Sequence, residues 1–351
     1  MNTATNEAVG LLKELTAIPS FSREETAASD KIADFIERKG LEMQRVGNNV
    51  FSVCRDYSYS KPTLLLDAHI DTVRIAQGWH HDPFTPIEED GKLYGLGTND
   101  DGGSLVSLLQ AYIEMCGRER AYNLVFSASC EEEVSGKGGI ELALGSFPHI
   151  DAGIIGEPTG LQPAVAEKGL MVIDFTARGK AGHAARNEGV NAIYKAVKDI
   201  ETIKNLRFHR HSEHLGHTRA TVTIINAGTQ HNVIPAECRF TADVRSNELY
   251  SNHELFDMIS SAVESEAKAR SFRLNSSSIP ASHPLVRRAV EMGRKPFGSP
   301  TLSNQALLSF PTIKIGPGES SRSHTADEYI KISEIEDAIE FYVSFLSGLE
   351  L

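Results

Sequence analysis

Hydrophobic positions along this chain keep two rhythms. Residues 6–18 (NEAVGLLKELTAI) and 25–40 (ETAASDKIADFIERKG) place apolar side chains at helical spacing, and Gly40 has the position of a C-cap. Residues 48–56 (NNVFSVCRD) and 61–71 (KPTLLLDAHID) read as strands, the second almost wholly apolar, which fits a strand covered on both faces of an α/β sheet. The alternation continues with a helix at 104–115, a strand at 122–129, a short helix at 138–146 and a strand at 151–160. No internal repeat or low-complexity tract interrupts it.

From Lys168 the order changes. Strand 169–179, helix 187–203, a hairpin of 218–228 with 236–246, helix 253–270 and strand 271–278 spell β-α-β-β-α-β, the ferredoxin-like arrangement. Helix 283–293, strand 310–318 and helix 333–349 then resume the first pattern. The expected architecture is an α/β domain over 1–167 and 277–351, with a mixed sheet flanked by helices, interrupted by an α+β domain over 168–276.

Composition narrows the function. With 351 residues and a formal charge of −12, the chain argues against nucleic-acid and anionic-membrane partners. No apolar run spans a bilayer, and the N-terminal residues lack a signal-peptide pattern. Cys54, Cys116, Cys130 and Cys238 show neither a CxxC pair nor a disulfide-framework spacing, so a reduced cytoplasmic enzyme is expected.

The chemistry concentrates where strands end. Open α/β sheets bind ligands at the carboxyl ends of their strands. LLLDA is followed by His69 and Asp71, LVFSAS by Glu131, Glu132 and Glu133, AGIIG by Glu157, and TIKIG by a loop containing His324. The glycine-rich loop YGLGTNDDGG adds Asp100 and Asp101. So many carboxylates at one edge repel one another unless cations lie among them. Mixed His and carboxylate donors suit Zn²⁺, and their number exceeds the needs of one ion, which points to a two-metal hydrolase with a shared ligand. Any one of these residues alone is an ordinary cap or loop residue; their agreement carries the inference. The histidines of RFHRHSEHLGH are expected in a solvated loop, and His80 and His81 at the cleft mouth or the sheet edge.

Taken together, HID (69–71), GLGTNDDGG, CEEE, GEPT, KGLMVIDFTARGKAGHAA, HNVIP with DVR, and SHTADEY resemble the M20 family of metallopeptidases and deacylases over essentially the whole chain. The resemblance implies a zinc-peptidase-like catalytic domain and an inserted domain that makes a homodimer. It implies His69 and Glu157 on one metal, Glu133 and His324 on the other, Asp100 bridging, Asp71 orienting His69, and Glu132 as general base. A shift of one residue would make Glu131 the base and Glu132 the ligand. Asp101 stands where the family has Met and competes with Asp100; its alternative role is a first-turn helix acid. Asn304 replaces a frequent Asp, which weakens recognition of a cationic substrate end there.

His183 resembles the histidine that stabilises the oxyanion in the partner's site. Asn232, Arg245 and Lys168 resemble residues at the substrate carboxylate, and Gly316 and Gly318 shape backbone contacts to substrate. The implied activity is removal of the acyl group from an N-acyl amino acid, with Zn²⁺ or Co²⁺. N-acetylornithine, hence arginine biosynthesis, is the first expectation; N-succinyl-diaminopimelate, N-acetylcitrulline and short peptides are alternatives. A non-catalytic dimeric binding protein would lack a base or a metal ligand, and none is missing.

Overall fold

A computed structural model describes residues 2–186 and 188–351. The chain divides into two compact units, one of residues 1–165, 279–297 and 303–351 and the other of residues 166–278 and 298–302.

In the first unit four parallel strands form the middle of the sheet, in the order Asn123–Ser129, Thr63–His69, Ala152–Ile155 and Thr312–Lys314. Asn49–Val53 joins antiparallel on one side, and Ala164 pairs antiparallel with Lys314 on the other. Side chains alternate across the sheet, and both faces are covered. Leu64, Leu66, Leu124, Phe126 and Ile154 pack under the helices Thr3–Thr16, Thr26–Arg38, Gly103–Cys116 and Ile332–Ser347, while Leu65 and Val125 meet Ile150, Phe147 and Phe310. That double cover explains the unbroken leucine run. Asn2 caps the first helix, its side chain accepting from Thr5 N at 2.8 Å. Because the four strands run the same way, their carboxyl ends, and the residues after them, lie along one edge.

A small three-stranded sheet adds an element that periodicity had not flagged. Lys92–Tyr94, just before the Asp100 loop, pairs with Ile87–Glu89 and with Tyr329–Lys331, just after His324. The pairing brings the loops carrying Asp100 and His324 together.

The second unit holds a four-stranded antiparallel sheet ordered Arg219–Ala227, Glu237–Ser246, Gly169–Arg178, Glu266–Ala269. Helices Ala192–Asn205 and Asn252–Ala262 bury Ala196, Ile203, Leu255 and Ile259 against Met171, Ile173, Phe175 and Phe240. Asn187, at the head of the stretch expected to be helical, lies outside the described residues.

Two expectations need correcting. The last strand is Glu266–Ala269, not 271–278, and the preceding helix stops at Ala262. The buried Asp199 carboxylate accepts from Glu264 N at 3.1 Å and from Ser265 N at 2.8 Å, which ends the helix and turns the Ala-rich stretch into the sheet. The helical propensity of EAKA yields to pairing with Gly169–Arg178. RFHRHSEHLGH keeps its four histidines exposed as expected but is not an open loop: His211–Ser212 pairs with Gly216–His217, and Phe208 and Leu215 are buried.

Cysteine pairing is a third correction. Cys54, just past the Asn49–Val53 strand, and Cys116, ending the Gly103–Cys116 helix, form a disulfide with Cα atoms 5.4 Å apart. A separation of 62 residues left no local spacing signal for it. Cys130 and Cys238 are free and buried. Among the described residues no helix is long and apolar enough to cross a membrane.

Candidate active site

Strand alternation builds the first part of the site. Leu65, Asp67, His69 and Asp71 project to one face of the sheet, Leu66, Ala68 and Ile70 to the other. His69 Nδ1 lies 2.9 Å from the Asp71 carbonyl oxygen and 3.5 Å from its carboxylate, so the backbone of Asp71 is the nearer acceptor for the ring N–H. His69 Nε2 then faces the Asp100 Oδ1 at 3.2 Å. The other Asp100 oxygen, Oδ2, lies 3.6 Å from His324 Nε2, which in turn contacts Glu133 Oε1 at 3.0 Å. One carboxylate therefore stands between two imidazoles, with an oxygen toward each.

Two overlapping donor groups result: His69, Glu132 and Glu157, and His69, Asp100 and Glu133. Within each group the donor atoms lie within 4.8 Å of one another. All five expected ligands, His69, Asp100, Glu133, Glu157 and His324, meet at this edge together with Glu132. Glu131 belongs to neither group. Its φ is +55°, and its carboxylate turns back into the glycine loop, where Gly138 N donates to it at 3.4 Å and Arg23 Nε lies 3.6 Å away. A Cβ on Gly136 would sit 1.9 Å from Glu131 Oε2, so that glycine makes room for the Glu131 side chain.

Asp101 is fully buried at the head of the Gly103–Cys116 helix, and both its carboxylate oxygens lack a hydrogen-bond partner within bonding geometry. Burial pushes its pKa up to about 8. Asp100, not Asp101, lies between the two histidines.

The electrostatics match a site built for cations. Burial holds Glu132 and Glu157 well above the usual carboxylate range, with Glu133, Asp71 and Asp100 adding to the rise at Glu132 and Lys314 opposing it at Glu157. Burial also raises Glu133, against the bond from His324. His324 is raised to about 9, chiefly by its bond to Glu133. For His69 burial disfavours the charged ring, yet Asp100 and Asp71 outweigh it and its pKa stands well above the imidazole value. Protons thus compensate a crowd of buried carboxylates. Divalent ions would displace those protons, and the mixed nitrogen and oxygen donors fit zinc-type ions.

The remaining expected residues distribute as follows. Gly316 N–H donates to Thr159 Oγ1 at 3.1 Å, so it is not a free donor for substrate. Its added Cβ would lie 2.5 Å from Glu157 O, and the residue serves close packing behind a ligand instead. Gly318, at φ +77°, turns its carbonyl to Gly160 N at 2.7 Å. Asn304 is buried and donates to Asp67 Oδ2 at 3.0 Å and Ser129 Oγ at 2.9 Å, a structural role under the sheet. In the second unit His183 pairs with Val233 and is exposed, and Ala184 N donates to the Asn232 carbonyl at 3.0 Å. Arg245 is held by Asp243 at 2.8 Å, and Lys168 Nζ donates to His217 O at 3.2 Å.

A profile of the family described as "Peptidase family M20/M25/M40" matches residues 65–348. The chain belongs to this peptidase family. It is an enzyme of the M20 hydrolase group. Two curated relatives named acetylornithine deacetylase, from Edwardsiella ictaluri (strain 93-146) and Pectobacterium carotovorum subsp. carotovorum (strain PC1), are each 29% identical. The first aligns over 94% of both chains and the second over 95% of both. Among solved structures, aminopeptidase PepT of Bacillus cereus superposes with a TM-score of 0.78 at 20% identity, over 97% of this chain and 98% of that one. A Bacillus subtilis M20-family protein, described as a dinuclear metal-binding peptidase, superposes with a TM-score of 0.75 at 16% identity over 98% and 97%. At these identities the structures establish the shared fold.

Sequence reasoning missed one member of the site. Glu328, inside the SHTADEY motif, is buried and accepts from Asn99 N at 2.9 Å and Asp100 N at 3.0 Å. It fixes the backbone of the central carboxylate. Burial and the neighbouring Asp100 push its pKa up to about 8. Its motif was visible; its target, 228 residues away, was not. His80 and His81 brace the same loop, both donating from backbone N–H to Asp327 Oδ1, at 2.9 and 3.2 Å.

Proposed function

We propose that this chain is a two-ion amidohydrolase that removes the acyl group from N-acyl amino acids, an N-acetylornithine-like substrate foremost. The observation that carries the reading is the Asp100 carboxylate with one oxygen toward His69 and the other toward His324, beside the buried Glu132. His69 and Glu157 would hold one ion, Glu133 and His324 the other, and Asp100 both. Bound Zn²⁺ or Co²⁺ would supply Lewis acidity toward the acyl carbonyl and lower the pKa of water.

Glu132 is the general base: its carboxylate takes a proton from the attacking water and returns it to the leaving nitrogen as the amide bond breaks. Glu132 stands in one donor group with His69 and Glu157, within reach of water held by an ion there. Asp71 positions this pair of acids, since its carboxylate accepts from Glu132 N at 3.0 Å and Glu133 N at 3.1 Å. Lys168, Asn232 and Arg245 would hold the substrate carboxylate, Gly318 would line the substrate's path, and the partner subunit's His183 would stabilise the oxyanion.

A homodimer through the inserted domain completes the proposal. Arg219–Ala227 is an edge strand whose Ile224 and Ile225 are each 50% exposed, and Tyr194 and Val197 on the Ala192–Asn205 helix are 75% and 50% exposed. An apolar edge of this kind invites pairing with a second chain. The cytoplasm is the proposed location, and there the Cys54–Cys116 pair would face reducing conditions.

The deciding experiment is a panel of N-acetyl, N-succinyl and dipeptide substrates assayed with Zn²⁺ or Co²⁺. The proposal expects the highest kcat/KM for N-acetylated amino acids, with N-acetylornithine first. Preference for a dipeptide or an N-succinyl substrate would replace the substrate assignment, and no hydrolysis of any amide would overturn the function.

A further inference from the structure

Three consecutive backbone N–H groups behind the acidic run all end on buried carboxylates. Glu131 N donates to Glu25 Oε1 at 3.2 Å, Glu132 N to Asp71 Oδ1 at 3.0 Å and Glu133 N to Asp71 Oδ2 at 3.1 Å. The left-handed Glu131, at φ +55°, followed by the short Glu132–Val134 turn, makes successive N–H groups converge. Such a concavity binds anions. Here two side chains of the same chain fill it, and both are fully buried.

Those two carboxylates are themselves held by one short segment. Ser22 Oγ donates to Asp71 Oδ2 at 2.7 Å. Glu25 also accepts from Arg23 N at 2.6 Å and from Asn48 Nδ2 at 3.0 Å. The segment is anchored in turn, since Thr72 N donates to Ser20 O at 2.9 Å, Phe21 bridges to Thr72, and the Arg74 guanidinium lies 4.2 Å above the Phe21 ring. With their amides tied on one side, Glu132 and Glu133 send their carboxylates into the two donor groups.

We infer that Ser22 and Glu25 are positioning residues for the reaction, bracing the Glu131–Glu133 turn so that Glu132 and Glu133 stay registered against His69, Asp100 and His324. Ser22 acts through Asp71, and Glu25 acts through the Glu131 amide. The inference rests on Glu132 being the base. A displacement of about 1 Å in a reacting group can reduce a rate about a hundredfold, so one hydrogen bond in the brace has a measurable effect.

The test uses the full-length protein with Ser22→Ala, Ser22→Thr and Glu25→Gln. Two readouts are paired: steady-state kinetics of the metal-loaded enzyme, and amide hydrogen exchange at residues 131–133 in the metal-free protein. Ser22→Ala should lower kcat about tenfold with KM within twofold, and Ser22→Thr, which keeps the hydroxyl, should restore it. Exchange should accelerate about tenfold at Glu132 and Glu133 in Ser22→Ala and at Glu131 in Glu25→Gln. Unchanged exchange in both variants overturns the brace. Accelerated exchange with an unchanged kcat overturns the positioning role, as does a kcat loss that Ser22→Thr fails to restore. If Glu132→Gln is itself active, the base assignment fails, whatever these amides show.

Discussion

Replacing Gly316 by Ala perturbs the packing behind a ligand without touching a titratable group. The new methyl would sit 2.3 Å from Ser104 Oγ, 2.5 Å from Glu157 O and 3.0 Å from Glu157 N. The Ser104 hydroxyl can rotate away, but the Glu157 backbone is held just past the Ala152–Ile155 strand, because Gly156 N donates to Asp67 O at 2.7 Å. Relief therefore requires the Ile155–Glu157 and Ile315–Gly316 segments to part. Overpacking of a rigid interior costs about 1–3 kcal/mol, and backbone contacts this close belong in the upper half of that range, about 2–3 kcal/mol. For a domain of this size that lowers the melting temperature by roughly 5–10 °C. Glu157 moves with its backbone, so the affinity for Zn²⁺ should fall as well. Thermal scans of the metal-free protein and titration calorimetry with Zn²⁺ measure both. Gly10→Ala is the control: Gly10 lies inside the Thr3–Thr16 helix with nothing within 4 Å of the added Cβ, and the change should stabilise by about 0.5–1 kcal/mol. A Gly316→Ala protein with wild-type melting and wild-type Zn²⁺ affinity would show that Gly316 does not hold the Glu157 backbone in place.

The metal-free protein should lose stability as pH rises. Asp67 is raised to about 6 and Asp101 and Glu328 to about 8, all mainly by burial, so the unfolded chain releases these protons first and the contribution, complete below about pH 4, declines up to about pH 8. Denaturant midpoints from pH 5 to 8 should fall, and the gain from added Zn²⁺ should grow over the same window; midpoints rising through it would contradict this. If the proposed homodimer forms through the Arg219–Ala227 edge, Ile224→Asp with Ile225→Asp should lower the mass in light scattering from dimer to monomer while leaving far-UV dichroism unchanged; a mass that does not fall would overturn the proposed interface. Asn304→Ala should destabilise by about 1–3 kcal/mol, because the buried Asp67 and Ser129 lose a donor. Chemical denaturation measures it, and a change under 0.5 kcal/mol would deny Asn304 its structural role.

Much of the site was legible because strand direction and strand ends are local features. The leucine run announces a doubly covered strand, and His69 and Asp71 follow two residues apart on one face. Glu157 follows an apolar strand in the same way, and His324 lies farther on, in the loop after another. What the sequence could not carry depends on long-range meetings. Glu328 reaches the Asp100 amide, Cys54 finds Cys116, and Glu25 finds Glu131, each pairing set by topology and not by spacing. The Asp71 carboxylate lies 3.5 Å from the His69 ring it was expected to face, but its acceptance from the amides of Glu132 and Glu133 had no signal in the sequence. In the second unit EAKA looked helical because intrinsic preference is weak against an available sheet edge.

Glu132→Gln isolates the general base, because it keeps the side-chain shape and removes only the ability to take a proton. Kinetics should be measured on protein with its metal content determined. With Glu132 as the base, the variant should bind as many ions as the wild type, two if the proposal holds, with kcat lower by about 10²–10⁴-fold. A variant that hydrolyses N-acyl amino acids at the wild-type rate would contradict it.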